Sequence, residues 1–136
     1  MLKDIEPTPP VEDVAVVAVI EDKENKEGLV WSVYLFNMKE TPIETVLVSS
    51  HGYGIYEGKE VKTSTLRFSL GDIPALTFEK IEAIHEQLFV LNNEYWVTFY
   101  ENGRLLDKKY TFEPGSICEE NTIDLPFIGK KGVLLR

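Results

Sequence analysis

The sequence predicts an all-β protein: an antiparallel β-sandwich of about seven strands with a packed C-terminal extension. Three observations carry that expectation. Short segments with the strand period of two recur along the chain, separated by Gly, Pro and Asn punctuation. The pair Asn102-Gly103 stands between two such segments and suits a type I′ turn, which needs positive φ twice. No long stretch keeps a helical period, although Ile81, Ile84, Leu88 and Leu91 recur at three- and four-residue spacing.

Taken in order, residues 1–10 read as an extended arm, because Pro7, Pro9 and Pro10 disfavour helix. Residues 11–136 read as one domain. Val11 to Ile20 is a strand apolar on both faces, with Val14, Val16, Ala18 and Ile20 opposed to Ala15, Val17 and Val19. Glu21 to Gly28 reads as a charged loop. Leu29 to Asn37 returns as a second two-sided strand, Trp31, Val33 and Leu35 against Val30, Tyr34 and Phe36, and the two pair as a hairpin.

Asn37 to Pro42 is a polar turn and Thr45 to Ser50 a third strand. The glycines at 52, 54 and 58 predict a loop or irregular edge. Val61 to Leu70 reads as one fourth strand and Gly71 to Pro74 as a turn. Residues 75–84 read as a strand to about Ile84 followed by a turn of helix, with a helix over 79–91, and so an α+β arrangement, as the alternative. Glu94 to Glu101 is strongly β, and a two-residue turn at Asn102-Gly103 fixes the register of the strand after it. Glu101 pairs Arg104, Phe99 meets Leu106, Tyr95 meets Tyr110, and the Lys109 stem can cover the Trp96 indole. Residues 114–136 are too apolar for a free tail and are expected to pack on the domain or on a partner.

Composition bounds the function. A chain of 136 residues, 43% hydrophobic, holds one core and needs no disulfide or metal to support it. Cys118 is the single cysteine, which suits a reducing compartment, and the first residues lack the apolar stretch of a signal peptide. A soluble cytoplasmic protein without a membrane span is therefore expected. The formal net charge of -9 repels a phosphate backbone, and Lys108-Lys109 and Lys130-Lys131 are too small to reverse it, so nucleic acid is not expected as a partner.

Reactive groups are sparse. His51 and His85 lie far apart with no ligand spacing around them, so neither a metal site nor a cofactor is expected. The Gly52-Tyr53-Gly54 run lacks the Gly-Lys-Ser/Thr ending of a phosphate loop. No pair among the 23 acidic residues ranks above another, and no catalytic residue is nominated. The candidate binding set is His51, Tyr53, Lys62 and Arg67, with Thr63, Ser64 and Thr65 between them, which on one sheet face could hydrogen-bond an anion or a peptide edge. Trp96 and Tyr100 share a strand face and could stack a sugar or a base.

Two resemblances rest on particular residues. The run Asn37-Met-Lys-Glu-Thr-Pro-Ile-Glu-Thr-Val-Leu-Val resembles the strand-turn-strand corner of fibronectin-like and other immunoglobulin-like modules, over about a dozen residues. Around Val48-Ser-Ser-His-Gly-Tyr-Gly, Lys62-Thr-Ser-Thr-Leu-Arg and Leu91-Asn-Asn-Glu-Tyr-Trp-Val-Thr-Phe-Tyr, the chain is similar to a group of short bacterial proteins of unknown function. Some of that group carry the label phenylalanyl-tRNA synthetase alpha subunit. The label does not suit this chain, whose three arginines, Arg67, Arg104 and Arg136, cannot supply the ATP-gripping site of a class II synthetase.

Because a sandwich strand should be polar outside, the two-sided hairpin over residues 11–37 needs a cover. Residues 117–135 or a second copy could supply it. The leading expectation is thus a non-enzymatic protein-interaction or assembly module, using that hairpin to bind a partner or to form a homodimer. A small-ligand or anion-binding module built on residues 51–67 is the alternative. A hydrolase is a third reading and requires His51 or His85 in a cleft beside a carboxylate.

Overall fold

The computed structural model describes residues 9–25 and 28–136, and the arm expected over residues 1–10 lies almost wholly outside them. Among the described residues ten strands form, in the order β1 (Val14–Asn25), β2 (Gly28–Asn37), β3 (Ile43–Tyr56), β4 (Lys59–Lys62), β5 (Leu66–Ile73), β6 (Thr77–Ile84), β7 (Asn92–Glu101), β8 (Arg104–Phe112), β9 (Ile123–Asp124) and β10 (Lys131–Leu135). The first sheet runs β6-β2-β1-β10-β9. In the second, β3 lies beside β7, which pairs β8, while the other edge of β3 carries β5 along its first half and β4 along its second. Every pairing is antiparallel, and the two sheets pack face to face as a β-sandwich.

The main core fills the space between the sheets. Val14, Val16, Ala18, Trp31, Val33 and Leu35 from β1 and β2 meet Val48, Tyr95, Val97, Phe99, Leu106 and Phe112 from the second sheet. Buried tyrosines pin the layers together. The Tyr110 hydroxyl donates to the Val14 carbonyl at 2.6 Å, and the Tyr95 hydroxyl donates to Glu82 Oε2 at 2.8 Å, each reaching from one sheet to the other. Burial holds both phenols well above their ordinary pKa, with the Glu82 charge adding to the effect at Tyr95, so both remain donors.

A second, smaller core lies outside the first sheet. Ala15, Val17, Val19 and Phe36 are fully buried there, under Leu125 with Ile128 and Leu134 packed against them. The Phe127 ring adds to this cover, 6.1 Å from Phe36. The cover that the two-sided hairpin requires therefore comes from the chain's own C-terminal stretch. That stretch is more than an extension, since β10 pairs with β1 over Val16–Val19 as an inner strand of the sheet. With this face filled, the 11–37 hairpin offers a second copy less apolar surface than its sequence suggests.

Several strand boundaries differ from those read in the sequence, and ten strands replace about seven because the fourth divides into β4 and β5 and the C-terminal stretch adds β9 and β10. Residues 21–25 continue β1 and Gly28 opens β2, with a register shift between Ile20 and Glu24 where a loop was expected. Residues 52–56 extend β3 rather than forming a loop, and Glu57-Gly58, with φ of 51° and 78°, turns the chain directly into β4. The fourth strand breaks at Thr63, whose hydroxyl accepts the Gly52 N–H at 2.7 Å while its own N–H donates to the Gly52 carbonyl. β5 runs on to Ile73, past the expected turn. Gly71, at φ 69°, sits opposite an irregular step of β3, where the Thr45 N–H donates to Asp72 Oδ1. Residues 79–91 resolve as β6 followed by a short 3-10 helix, Glu86–Val90.

An ion cluster ties the C-terminal cover to the hairpin beneath it. Glu21 accepts hydrogen bonds from Lys130 Nζ at 3.0 Å and from the Tyr34 hydroxyl at 3.1 Å, with Lys80 at 3.9 Å. Burial pushes the Glu21 carboxyl up, but these two donors and the two lysine charges outweigh it and leave it below its ordinary value of 4.5. The stabilisation is thus present above the unfolded-state pKa and is lost as pH falls through the folded one. Glu21→Gln should lower stability by about 1 kcal/mol at pH 7, a deficit that narrows as pH falls below 4.5 and through the lower folded-state pKa. Urea midpoints of both proteins at pH 7 and pH 3 check this; an equal deficit at both would contradict it.

Candidate functional site

The outer face of the second sheet collects most of the residues singled out in the sequence. Strand alternation puts Leu47, Ser49, His51 and Tyr53 of β3 on that face, and register sets their neighbours. Tyr53 lies opposite Lys62, Ser49 opposite Arg67 on one side and Trp96 on the other, and His51 opposite Glu94. The four candidate residues, His51, Tyr53, Lys62 and Arg67, therefore share one surface. They do not converge on a cavity: Lys62 and Arg67 are exposed, on separate strands joined through the break at residues 63–65.

His51 Nε2 lies 3.5 Å from Glu94 Oε2, and its ring packs against Tyr53 at 5.6 Å. Trp96 is fixed from two directions. Its Nε1 donates to Asp107 Oδ2 at 2.9 Å, and Lys109 Nζ stands over the ring at 4.6 Å, as the hairpin register requires. Arg67 makes no ion pair among the described residues. Between Arg67 and Trp96 the sheet surface dips into an open hollow of about 380 Å³ floored by Leu47, Ser49, Ser69 and Thr98.

This face is unusually apolar for solvent-facing sheet. Leu47, Trp96, Tyr100 and Leu105 are 48%, 42%, 42% and 53% exposed, and Leu105 stands opposite Tyr100 in the β7–β8 register. Trp96 and Tyr100 stand out in the sequence; Leu47 and Leu105 do not. Their parity on the strands was the available signal, but which face of each strand met the core was not.

A second feature opens at the edge of the sandwich. Leu66, at the start of β5, points inward opposite Ser50, yet is 50% exposed because the sheets part there. The resulting cleft, about 190 Å³, has Ser50 and Tyr95 on its floor and Leu66, Ile84 and Leu88 as walls, with Glu82 of the opposite sheet facing in. Sequence reasoning missed Glu82 and Tyr95: one carboxylate among many carries no mark until the fold sets it beside a buried phenol. His85 lies elsewhere, its Nδ1 accepting the Gln87 N–H at 3.2 Å to cap the 3-10 helix. Cys118 precedes the short turn Glu119–Asn121 and is partly buried.

Together these features define a ten-stranded antiparallel β-sandwich with one covered and one open outer face, and a narrow inter-sheet cleft. No protein-family model matches the sequence, and neither a curated protein nor a solved structure matches it significantly. Among the described residues, no helix is long and apolar enough to cross a membrane.

Proposed function

We propose that this chain is a non-enzymatic protein-interaction module that docks a partner protein on the outer face of its second sheet. The observation that carries the reading is the exposure of Leu47 and Trp96 at the hollow, with Tyr100 further along the same face of β7 and Leu105 opposite Tyr100 on β8. Trp, Tyr and Arg are the residue types that dominate binding energy at interfaces, and Trp96 is already held in place by Asp107 and Lys109, so little ordering is needed on docking. The partner it fits presents an aliphatic side chain to Trp96 and Leu47 and a carboxylate to Arg67, which makes no ion pair among the described residues. The lone thiol of Cys118 favours a reducing, cytoplasmic setting.

The strand order is consistent with the immunoglobulin-like subtype suggested by residues 37–48. β1, β2 and β6 lie together in one sheet and β3, β7 and β8 in the other, with β9 and β10 added beside β1.

Selection of displayed random peptides on the intact protein tests the proposal. Aliphatic-acidic sequences should be enriched, and Trp96→Ala and Arg67→Glu should each weaken their binding by at least about tenfold. Because both side chains are exposed, the variants should fold normally, as circular dichroism would verify. Absence of enrichment, or peptides that bind both variants as well as the parent, would overturn the assignment.

A further inference from the structure

The inter-sheet cleft meets the outer face only at His51, which lines its rim and lies beside Glu94, and it has a different chemistry from the hollow at Trp96 and Arg67. Glu82 reaches into it half-buried, accepting the Tyr95 hydroxyl at Oε2, and it has no cationic partner among the described residues. A carboxylate that faces a cleft with no cation beside it among the described residues offers a charge that a bound cation would complement. The walls select what kind. Leu66, Ile84 and Leu88 offer an apolar sleeve, and the buried Ser50 lies on the floor with Tyr95. At about 190 Å³ the cleft is smaller than the roughly 300–1,000 Å³ of drug-sized pockets, so it admits a side chain or a small amine rather than a larger ligand.

We infer that this cleft is a binding site for an alkylammonium group, whose stem lies along Leu66 and Leu88 and whose head meets Glu82. Guanidinium fits less well. Its fork calls for both carboxylate oxygens and would have to share Oε2 with the Tyr95 hydroxyl, whereas an ammonium binds as a point charge and needs only Oε1. The buried phenol remains protonated, so its hydrogen bond to Oε2 persists. The group could belong to a lysine side chain of a bound polypeptide or to a free amine, and the two share this chemistry. The anion or peptide-edge set expected from the sequence, His51, Tyr53, Lys62 and Arg67, belongs to the outer face, whereas Glu82 enters this cleft from β6.

Titration of the full chain with n-butylammonium, followed by amide NMR, tests the inference. Saturable shifts should centre on Gly52, Ser64 and Leu88, in the millimolar range, with n-butanol producing none and methylguanidinium weaker ones. Glu82→Gln should weaken n-butylammonium by about tenfold or more. Leu66 is exposed enough that Leu66→Ala leaves the fold intact, and it should weaken n-butylammonium more than methylammonium. A lysine-containing peptide that binds more tightly than the free amine identifies the polypeptide source; the reverse identifies a small amine. Equal shifts with n-butanol, no saturation, or unchanged binding in both variants would overturn the site. None of these outcomes bears on Trp96 or Arg67, so this site and the outer face stand or fall separately.

Discussion

Gly132→Ala is expected to destabilise the protein by about 2–4 kcal/mol, with a fall in melting temperature of roughly 10 °C. Gly132 lies in β10 opposite Val19 of β1 and Ile123 of β9. A Cβ there would stand 2.5 Å from the Ala18 carbonyl oxygen and 2.8 Å from Leu125 Cδ1. The backbone oxygen belongs to the central strand of the sheet and cannot yield, so β10 must lift or Leu125 must leave its seat. Either movement loosens the cover over Ala15, Val17 and Phe36. Sedimentation should therefore show self-association of the variant where the parent shows less, because the uncovered hairpin face is a strip of apolar sheet. An alanine variant as stable as the parent would mean that the C-terminal strands do not pack as closely on β1 as described.

Asn37→Ala is expected to cost about 3 kcal/mol or more, a large value for one amide. Asn37 ends β2 and is fully buried. Its Nδ2 donates to the carbonyls of Thr41 and Pro74, each at 3.0 Å, and approaches that of Ile73 at 3.3 Å, while Oδ1 accepts the Lys39 N–H. Thr41 lies on the crossing from β2 to β3 and Pro74 on the crossing from β5 to β6. One side chain thus joins two of the places where the chain changes sheets, reinforced by the Leu76 N–H bond to the Lys39 carbonyl. Removing it strands several buried polar groups at once. Asn37→Asp should be worse, since it keeps the acceptor but sets a carboxylate against three carbonyl oxygens. Urea unfolding measures the cost. Hydrogen exchange at the Met38 and Leu76 amides should quicken in step; a loss below about 1 kcal/mol would show that the crossings hold without this residue.

Where the sequence spoke clearly, the signal was local. Asn102-Gly103 adopts φ of 51° and 74°, and the pairs Glu101–Arg104, Phe99–Leu106, Tyr95–Tyr110 and Trp96–Lys109 all form, because a two-residue turn leaves one register open. The two-sided pattern of β1 and β2 likewise divides into the two cores observed. Strand ends were less legible where glycines cluster. Gly52 and Gly54 are inside β3, Gly52 under a close approach in which a Cβ would stand 3.3 Å from Thr63 Cγ2, and Gly54 with a φ of +155°, so the strand runs through where a loop or irregular edge is expected. The candidate binding residues were correctly grouped on one surface, since strand parity and adjacency place them there. The cleft was invisible, because Glu82 and Tyr95 lie on different sheets and meet only when those sheets stack.

Residue period, turn chemistry and the surplus of apolar side chains on β1 and β2 determined by themselves that the chain forms antiparallel sheets, that its C-terminal hairpin has one register, and that the first hairpin must be covered twice. Those are properties of neighbours along the chain or across a tight turn. Tertiary structure alone decided that the covering segment is residues 125–128, that the outer face of the second sheet remains open, and that a carboxylate from β6 meets a phenol from β7. The physical reason is that each depends on contacts between elements distant in sequence, whose choice is made by which faces can be buried together at the lowest free energy and not by the pattern of any one segment.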